Sequence, residues 1–475
     1  MQAAVRIPGY DRSAVSPGIV HLGIGAFHRA HQAIYLDDCL AIDPGWGIVG
    51  ASLRRSDTAD ALNPQDGLYT LAIREGESVQ ARVVGSVREV LCSPGNASVL
   101  AALASPETRM VTLTVTEKAY CRNPASGDLD PDHPDIRADL ETGGLATVPG
   151  LLAAALARRL EHGLAPISIV SCDNLPANGQ TLKNIVTQFA GLRDPKLARW
   201  IELDIGFPST MVDRIVPATT QEDRAEISAL LGCEDAWPVV TEPFSQWVVE
   251  DRFAAGRPPL EQVGVVLAED VEPFELMKLR LLNGSHSALA YLGVFAGHET
   301  VAEAVSDPVL RTYLEAMMRE EIKPTLHVPG VDLEAYIHSL LVRYSNAALK
   351  HRTMQIAMDG SQKIPQRLLG TVRDCKETGT PHDRILLAVA AWIRHLSGAG
   401  PDGERYKIDD PMADTLTGIA DKIVPDVRSF GEAVLDLRSV FGSDLSADQA
   451  FRSEVLDHLE FLFQSGARAA MRSLI

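Results

Sequence analysis

The chain has 475 residues, room for roughly two or three domains. Hydrophobic residues make up 46% and charged residues 23%, which excludes a disordered, collagenous or coiled-coil chain. Asp and Glu (63) outnumber Lys and Arg (44), for a net charge of −19, so phosphate backbones and anionic lipid surfaces are repelled and neither nucleic acid nor membrane is an expected partner. No apolar run approaches the roughly 20 residues of a membrane span. The opening MQAAVRIPGYDRS lacks the cationic start and apolar core of a secretory signal. Six cysteines without a C-x-x-C pair read as reduced thiols of a cytoplasmic protein.

In chain order, Ile19–Leu22 reads as a short buried strand, Phe27–Ala41 as a helix and Trp46–Leu53 as a second strand, together a βαβ unit. Leu68–Ile73 and Val79–Val84 flank Glu75-Gly76-Glu77-Ser78 and predict a hairpin insertion. Parallel-strand texture resumes at Met110–Val115 and Ile167–Ser171, with a helix over Pro149–His162 between them. Val239–Glu250 and Val263–Leu267 are further strand candidates. From Pro273 onward long helical patterns dominate: Pro273–Phe295, Pro308–Ile322, Leu333–Ser345, Asp383–Leu396, Asp410–Lys422, Phe430–Phe441 and Ala447–Ser473. The fold class is therefore α/β over residues 1–272, followed by a mainly α-helical domain over 273–475.

The first strand meets its helix through Gly23-Ile24-Gly25-Ala26-Phe27-His28. Glycines there permit a tight turn and let backbone N–H groups approach a pyrophosphate at a helix N-terminus. His28 occupies the place of the third glycine of G-x-G-x-x-G, so the turn alone fits a dinucleotide site or a purely structural role. No acid ends the second strand. Arg54 and Arg55 suit a 2′-phosphate and Asp57 suits a ribose, which leaves NAD and NADP both open.

The segment Pro273–His286, PFELMKLRLLNGSH, carries the strongest chemical signal. On an α-helix of about 100° per residue, His286 lies near ~80° and Asn283 near ~140° from Lys278. Leu276, Leu279, Leu282 and Leu289 share that arc. A lysine, an asparagine and a histidine on a leucine face suit a cleft. A desolvated lysine can take a hydroxyl proton while an amide stabilises the growing alkoxide. Thr116-Glu117-Lys118 and Ser171-Cys172-Asp173-Asn174 end strands where α/β ligands collect. Phe207–Arg214 reads as a polar loop with room for an ion pair. His28 and His31 lack a third ligand, so no metal is expected.

GIGAFHRAHQ, TVTEKAYC, SCDNLPANG, FPSTMVDRI and KLRLLNGSH together resemble the polyol-specific long-chain dehydrogenase family, which includes the mannitol 2-dehydrogenases, over about Gly18 to Arg367. The resemblance implies a Rossmann-type domain with insertions, a helical C-terminal domain, a metal-independent reaction and a monomer. It implies Lys278 as general base, with Asn283, His286 and Asn174 beside it and Glu117 assisting proton passage. Gly23, Gly25, Ala26, Phe27, His28, Arg54, Asp57 and Glu117 are the expected cofactor residues, and Asp213 an expected substrate residue. Polyol oxidisers of the family tend to carry arginine four residues before D-G, where this chain has Gln355. HRTMQIAMDGSQKIPQR is instead similar to the fructuronate reductase branch, whose uronate carboxylate needs cations. Arg352 and Lys363 are the candidates. The expectation is NAD-dependent interconversion of D-fructuronate and D-mannonate, with a small-molecule sugar acid as substrate. The alternatives are a polyol dehydrogenase of the mannitol 2-dehydrogenase kind, a non-catalytic dinucleotide sensor and a metal-dependent alcohol dehydrogenase.

Overall fold

A computed structural model describes residues 5–123, 126–349, 351–423 and 426–475. The chain divides between Glu272 and Pro273 into two compact units.

The first unit is built on five parallel strands: β1 (Pro17–Leu22), β2 (Gly47–Ala51), β5 (Val87–Leu91), β6 (Met110–Leu113) and β7 (Ser168–Ser171), in the order β5-β2-β1-β6-β7. Covered strands of this kind are apolar on both faces. Val20 and Leu22 of β1 join one core with the helices Ala97–Leu103, Val148–Glu161 and Asn178–Gly191, and Ile19 joins the other with Ala33, Leu36 and Trp247. The helix Val148–Glu161 starts where Thr147 accepts the Gly150 N–H at 3.0 Å and Pro149 fills a first-turn place that needs no donor.

The expected hairpin is β3 (Tyr69–Glu75) against β4 (Ser78–Val84), antiparallel in register from Tyr69↔Val84 to Glu75↔Ser78. β9 (Val239–Thr241) joins it in parallel. A third sheet sets β8 (Thr210–Asp213) and β11 (Val266–Ala268) on either side of β10 (Gln246–Glu250). Three expectations are corrected here. Val239–Glu250 is two strands in different sheets, parted by Glu242–Ser245, where Pro243 cannot donate to a ladder. Phe207–Arg214 contains a buried strand instead of a polar loop. The helix after β1 is two pieces, Ala26–Ala30 and Gln32–Cys39, broken at His31 (φ −124°, ψ −89°), whose Nε2 bonds the Gln246 carbonyl at 2.8 Å.

The second unit is helical, and no strand occurs among its described residues. Ser285–Phe295 and Asp383–His395 are apolar almost all round and so occupy its centre, with Gln449–Arg472 packed beside them. The expected helix Pro273–Phe295 is α-helical over Glu272–Met277, π-helical over Lys278–Gly284 and α-helical again from Ser285. Met317–Ile322 and Pro365–Leu369 are π-helical too. Phe430–Phe441 is split into Val427–Leu435 and Arg438–Ala447, and Gln449–Arg472 is kinked at Gly466 (φ 79°). No helix among the described residues is long and apolar enough to cross a membrane.

Candidate active site

In the first unit the glycine turn sits at the C-terminal end of β1, the centre of the parallel sheet. Gly23 has φ +91°, and a Cβ there would overlap the Thr114 carbonyl group, whose carbon would lie 2.9 Å away. The turn is therefore pressed against the end of β6. Gly25 differs: a Cβ would meet only the Gly23 oxygen, at 3.8 Å, so its front is open space. Ala26 and Phe27 follow, half-buried. These features fit a crevice in which backbone approaches a phosphate.

Beneath the turn lies His21, bonded to Thr112 Oγ1 at 2.7 Å, Thr114 Oγ1 at 3.0 Å and the Gly23 carbonyl at 3.2 Å. Burial pushes its imidazole down to about 3. The His28 ring stacks on it, with centroids 3.3 Å apart, and is wholly buried. Any contact of His28 with a dinucleotide would therefore be made by its backbone, since its side chain is buried under the turn. Arg54 is exposed beyond β2. Asp57 opens a short helix, accepts the Thr58 N–H at 3.1 Å and pairs with Arg55 at 2.9 Å.

Glu117 and Asn174 stand exposed at the ends of the neighbouring strands β6 and β7. Asp173 ties those ends together. Its carboxylate accepts the N–H groups of Thr116 (2.9 Å) and Val115 (3.2 Å) and the Tyr120 hydroxyl (2.8 Å). Thr116 is thereby held at φ 74°, ψ 156°, a region that β-branched residues avoid. Asp213 is buried in β8 opposite Gln246. The Arg214 guanidinium donates to the carbonyls of Ala30 (2.6 Å) and Glu242 (2.9 Å).

In the second unit Lys278, Asn283 and His286 lie along the π-helical stretch and the turn after it, all partly exposed. In an α-helix residues five apart diverge by about 140°. The i→i+5 pattern brings such residues toward one line, so Lys278 and Asn283 align better than α-helical spacing predicts. The carbonyl of Leu282 accepts the Tyr344 hydroxyl at 2.8 Å. The His286 ring stacks on Tyr344 (5.2 Å) and meets His351 edge-on (5.1 Å). Its Nε2 is buried and has no hydrogen-bond partner among the described residues. Burial, then the charges of His351, Arg367, Arg343 and Lys363, holds this imidazole well below the usual histidine range.

The D-G-x-x-K stretch is closely packed. Asp359 is left-handed (φ 57°), and a Cβ on Gly360 would overlap the Trp392 indole nitrogen and lie 2.7 Å from the Tyr291 hydroxyl. Lys363 Nζ donates to the carbonyls of Met358 (2.6 Å) and Ile356 (3.3 Å) and lies 3.7 Å from Asp359. Arg352 is exposed. Sequence reasoning missed His351, Arg343 and Arg367. The only signal for the last was its place at the end of the quoted motif. Among the described residues no three His, Cys, Asp or Glu side chains gather as a metal site.

Comparison with known proteins agrees with both units. The family model for the mannitol dehydrogenase Rossmann domain matches residues 17–262, and that for the mannitol dehydrogenase C-terminal domain matches 270–463. A mannitol 2-dehydrogenase of Phaeosphaeria nodorum is 43% identical over 98% of this chain and 83% of its own length. A D-mannonate oxidoreductase of Escherichia coli is 43% identical over 98% of this chain and 97% of its own. The solved structure of Pseudomonas fluorescens mannitol 2-dehydrogenase in ternary complex with NAD and D-mannitol superposes with a TM-score of 0.87 at 37% identity, covering 99% of this chain and 96% of that one.

Proposed function

Because this chain belongs to the mannitol dehydrogenase family, we propose that it is an NAD(H)-dependent oxidoreductase that interconverts D-fructuronate and D-mannonate. The reaction class is oxidation of a CH–OH group and its reverse. Residues 1–272 would bind the dinucleotide and residues 273–475 would supply the base and most substrate contacts, in a cytoplasmic monomer. The glycine turn fits the cofactor: Gly23 closes against Thr114 and Gly25 leaves space in front of it. Gly25, Ala26 and Phe27 would hold it by their backbone, with Arg54 and Asp57 toward the adenosine end and Glu117 at the end of β6. NAD, when bound, supplies the hydride acceptor.

The chain's own residues do the rest. Lys278, in its neutral form, takes the hydroxyl proton. Asn283 and Asn174 donate amide hydrogens to the oxygen as negative charge grows on it. His286 stays neutral at physiological pH, so it can hydrogen-bond a sugar hydroxyl without adding charge. Glu117 assists proton passage. Asp213, Arg352 and Lys363 are the proposed substrate residues. The observation that carries this reading is the histidine of the K-N-H set, whose buried Nε2 has no hydrogen-bond partner among the described residues. A buried polar nitrogen left unpaired costs about 1–3 kcal/mol, which a substrate hydroxyl would offset.

A second reading, a polyol dehydrogenase, is favoured by the equal identity to mannitol 2-dehydrogenases. Turnover of D-mannonate and of D-mannitol, each with NAD and NADP, separates the two. A kcat/KM for mannitol far above that for mannonate would exclude the uronate assignment.

A further inference from the structure

We infer that Arg367 is the residue that selects a sugar acid over a neutral polyol, its guanidinium receiving the substrate carboxylate. The inference rests on the sugar-acid reading above and names the group that would enforce it.

Arg367 lies in the π-helical segment Pro365–Leu369, which packs on the π-helical stretch Lys278–Gly284. The approach is close. A Cβ on Gly284 would lie 2.8 Å from the Arg367 carbonyl oxygen, so the glycine of N-G-S-H admits this segment against the helix carrying Lys278, Asn283 and His286. The Arg367 guanidinium donates to Ser287 Oγ, next to His286, at 3.1 Å. That bond uses one of its five N–H donors.

No carboxylate lies within ion-pair distance of Arg367 among the described residues, although burial is the main influence on its charge. The acid that acts on it, Asp359, lies 3.7 Å from the Lys363 ammonium. Buried Arg280 is answered by a carboxylate, Asp374 at 2.6 Å, and two other buried arginines by carbonyls. Arg159 donates to those of Leu103, Ser105 and Ala165, and Arg214 to those of Ala30 and Glu242. Arg367 has one hydroxyl. A partly desolvated guanidinium with unused forked donors is the arrangement that carboxylates complete bidentately.

Two other cations of the same stretch of sequence are less suited. Lys363 is already bonded to two carbonyls, and Arg352 is exposed, where solvent weakens an ion pair. The span is reasonable as well. The carboxyl carbon of a hexonate lies four C–C bonds from C5, at most roughly 5 Å in an extended chain. A carboxylate at Arg367 thus leaves the remaining hydroxyls within reach of the adjacent His286.

The test measures steady-state kinetics with D-mannonate and D-mannitol for the unmodified protein, Arg367→Gln, Arg367→Lys and Arg352→Gln, with thermal unfolding as a check of folding. The expected result is a loss of about a hundredfold or more in kcat/KM for D-mannonate in Arg367→Gln, mostly through KM, with D-mannitol turnover changed by no more than about threefold. Arg367→Lys keeps a cation without the fork, and about a tenfold loss on D-mannonate alone is expected. This variant decides the matter if Arg367→Gln fails to fold. Equal losses on both substrates, no loss on either, or a mannonate-specific loss confined to Arg352→Gln would overturn the assignment of Arg367. If the unmodified protein oxidises D-mannitol but not D-mannonate, the sugar-acid reading itself falls. Good mannonate turnover with an indifferent Arg367→Gln removes only the role of this arginine.

Discussion

The two glycines of the β1 turn make opposite demands, and alanine at each separates folding from cofactor binding. At Gly25 the backbone (φ −81°, ψ −174°) is open to any residue, and a Cβ would meet nothing nearer than 3.8 Å. Gly25→Ala should therefore leave the free protein's stability unchanged or raise it by up to about 1 kcal/mol, through the narrower unfolded ensemble. The same methyl would project into the space where a pyrophosphate must approach the backbone, so NADH affinity should fall about tenfold or more. At Gly23 the φ of +91° costs alanine on the order of 1 kcal/mol. Overlap with the Thr114 carbonyl and a 3.2 Å approach to Val115 Cγ1 add overpacking of about 1–3 kcal/mol, because the obstructing atoms include backbone that cannot rotate away. Gly23→Ala should lower both stability and NADH affinity. Urea unfolding gives the first quantity and NADH fluorescence titration the second. Full NADH affinity in Gly25→Ala, with the fold intact, would refute a dinucleotide in front of this turn.

Lys278→Ala should lower turnover at least a thousandfold while leaving NADH titration unchanged, and near-normal activity would remove the lysine from the chemistry. His21 is held near 3 in the folded protein and rises to about 6.5 when unfolded, so between those values the unfolded state binds the extra proton. Its contribution to stability is complete above about pH 6.5 and is lost on acidification toward pH 3. Urea unfolding of the unmodified protein should weaken through that window, and His21→Asn should reduce the slope by about one proton. An unaltered slope would mean that His21 is not the titrating group. Gly360→Ala should destabilise by about 1–3 kcal/mol, because the new methyl meets Trp392 and the Tyr291 hydroxyl, and an unshifted urea midpoint would contradict that packing.

Much of this architecture was legible where local pattern and tertiary demand agree. The glycine turn, the hairpin around Gly76 and the helical texture beyond Pro273 each rest on short-range chemistry that the chain writes openly. β8 was not legible, because its polar residues are answered from afar. Thr210 donates its N–H to Asn178 Oδ1 at 2.9 Å and its hydroxyl to the Ser171 carbonyl at 2.7 Å, so STMVD can be buried. The π-helical stretch was illegible for a different reason. Apolar periodicity registers 3.6 residues per turn, and a single turn of i→i+5 bonding leaves the flanking pattern nearly intact. It lies against residues some eighty positions away, at the close approach of Gly284 and Arg367. That contact also separates what motif spacing reveals from what it hides. Lys278, Asn283 and His286 could be read from their own segment, whereas a partner on the second π-helical segment is visible only once the two helices meet. Specificity that depends on such a partner can change by substitution at residue 367 while the N-G-S-H sequence, and the chemistry it supports, stays the same.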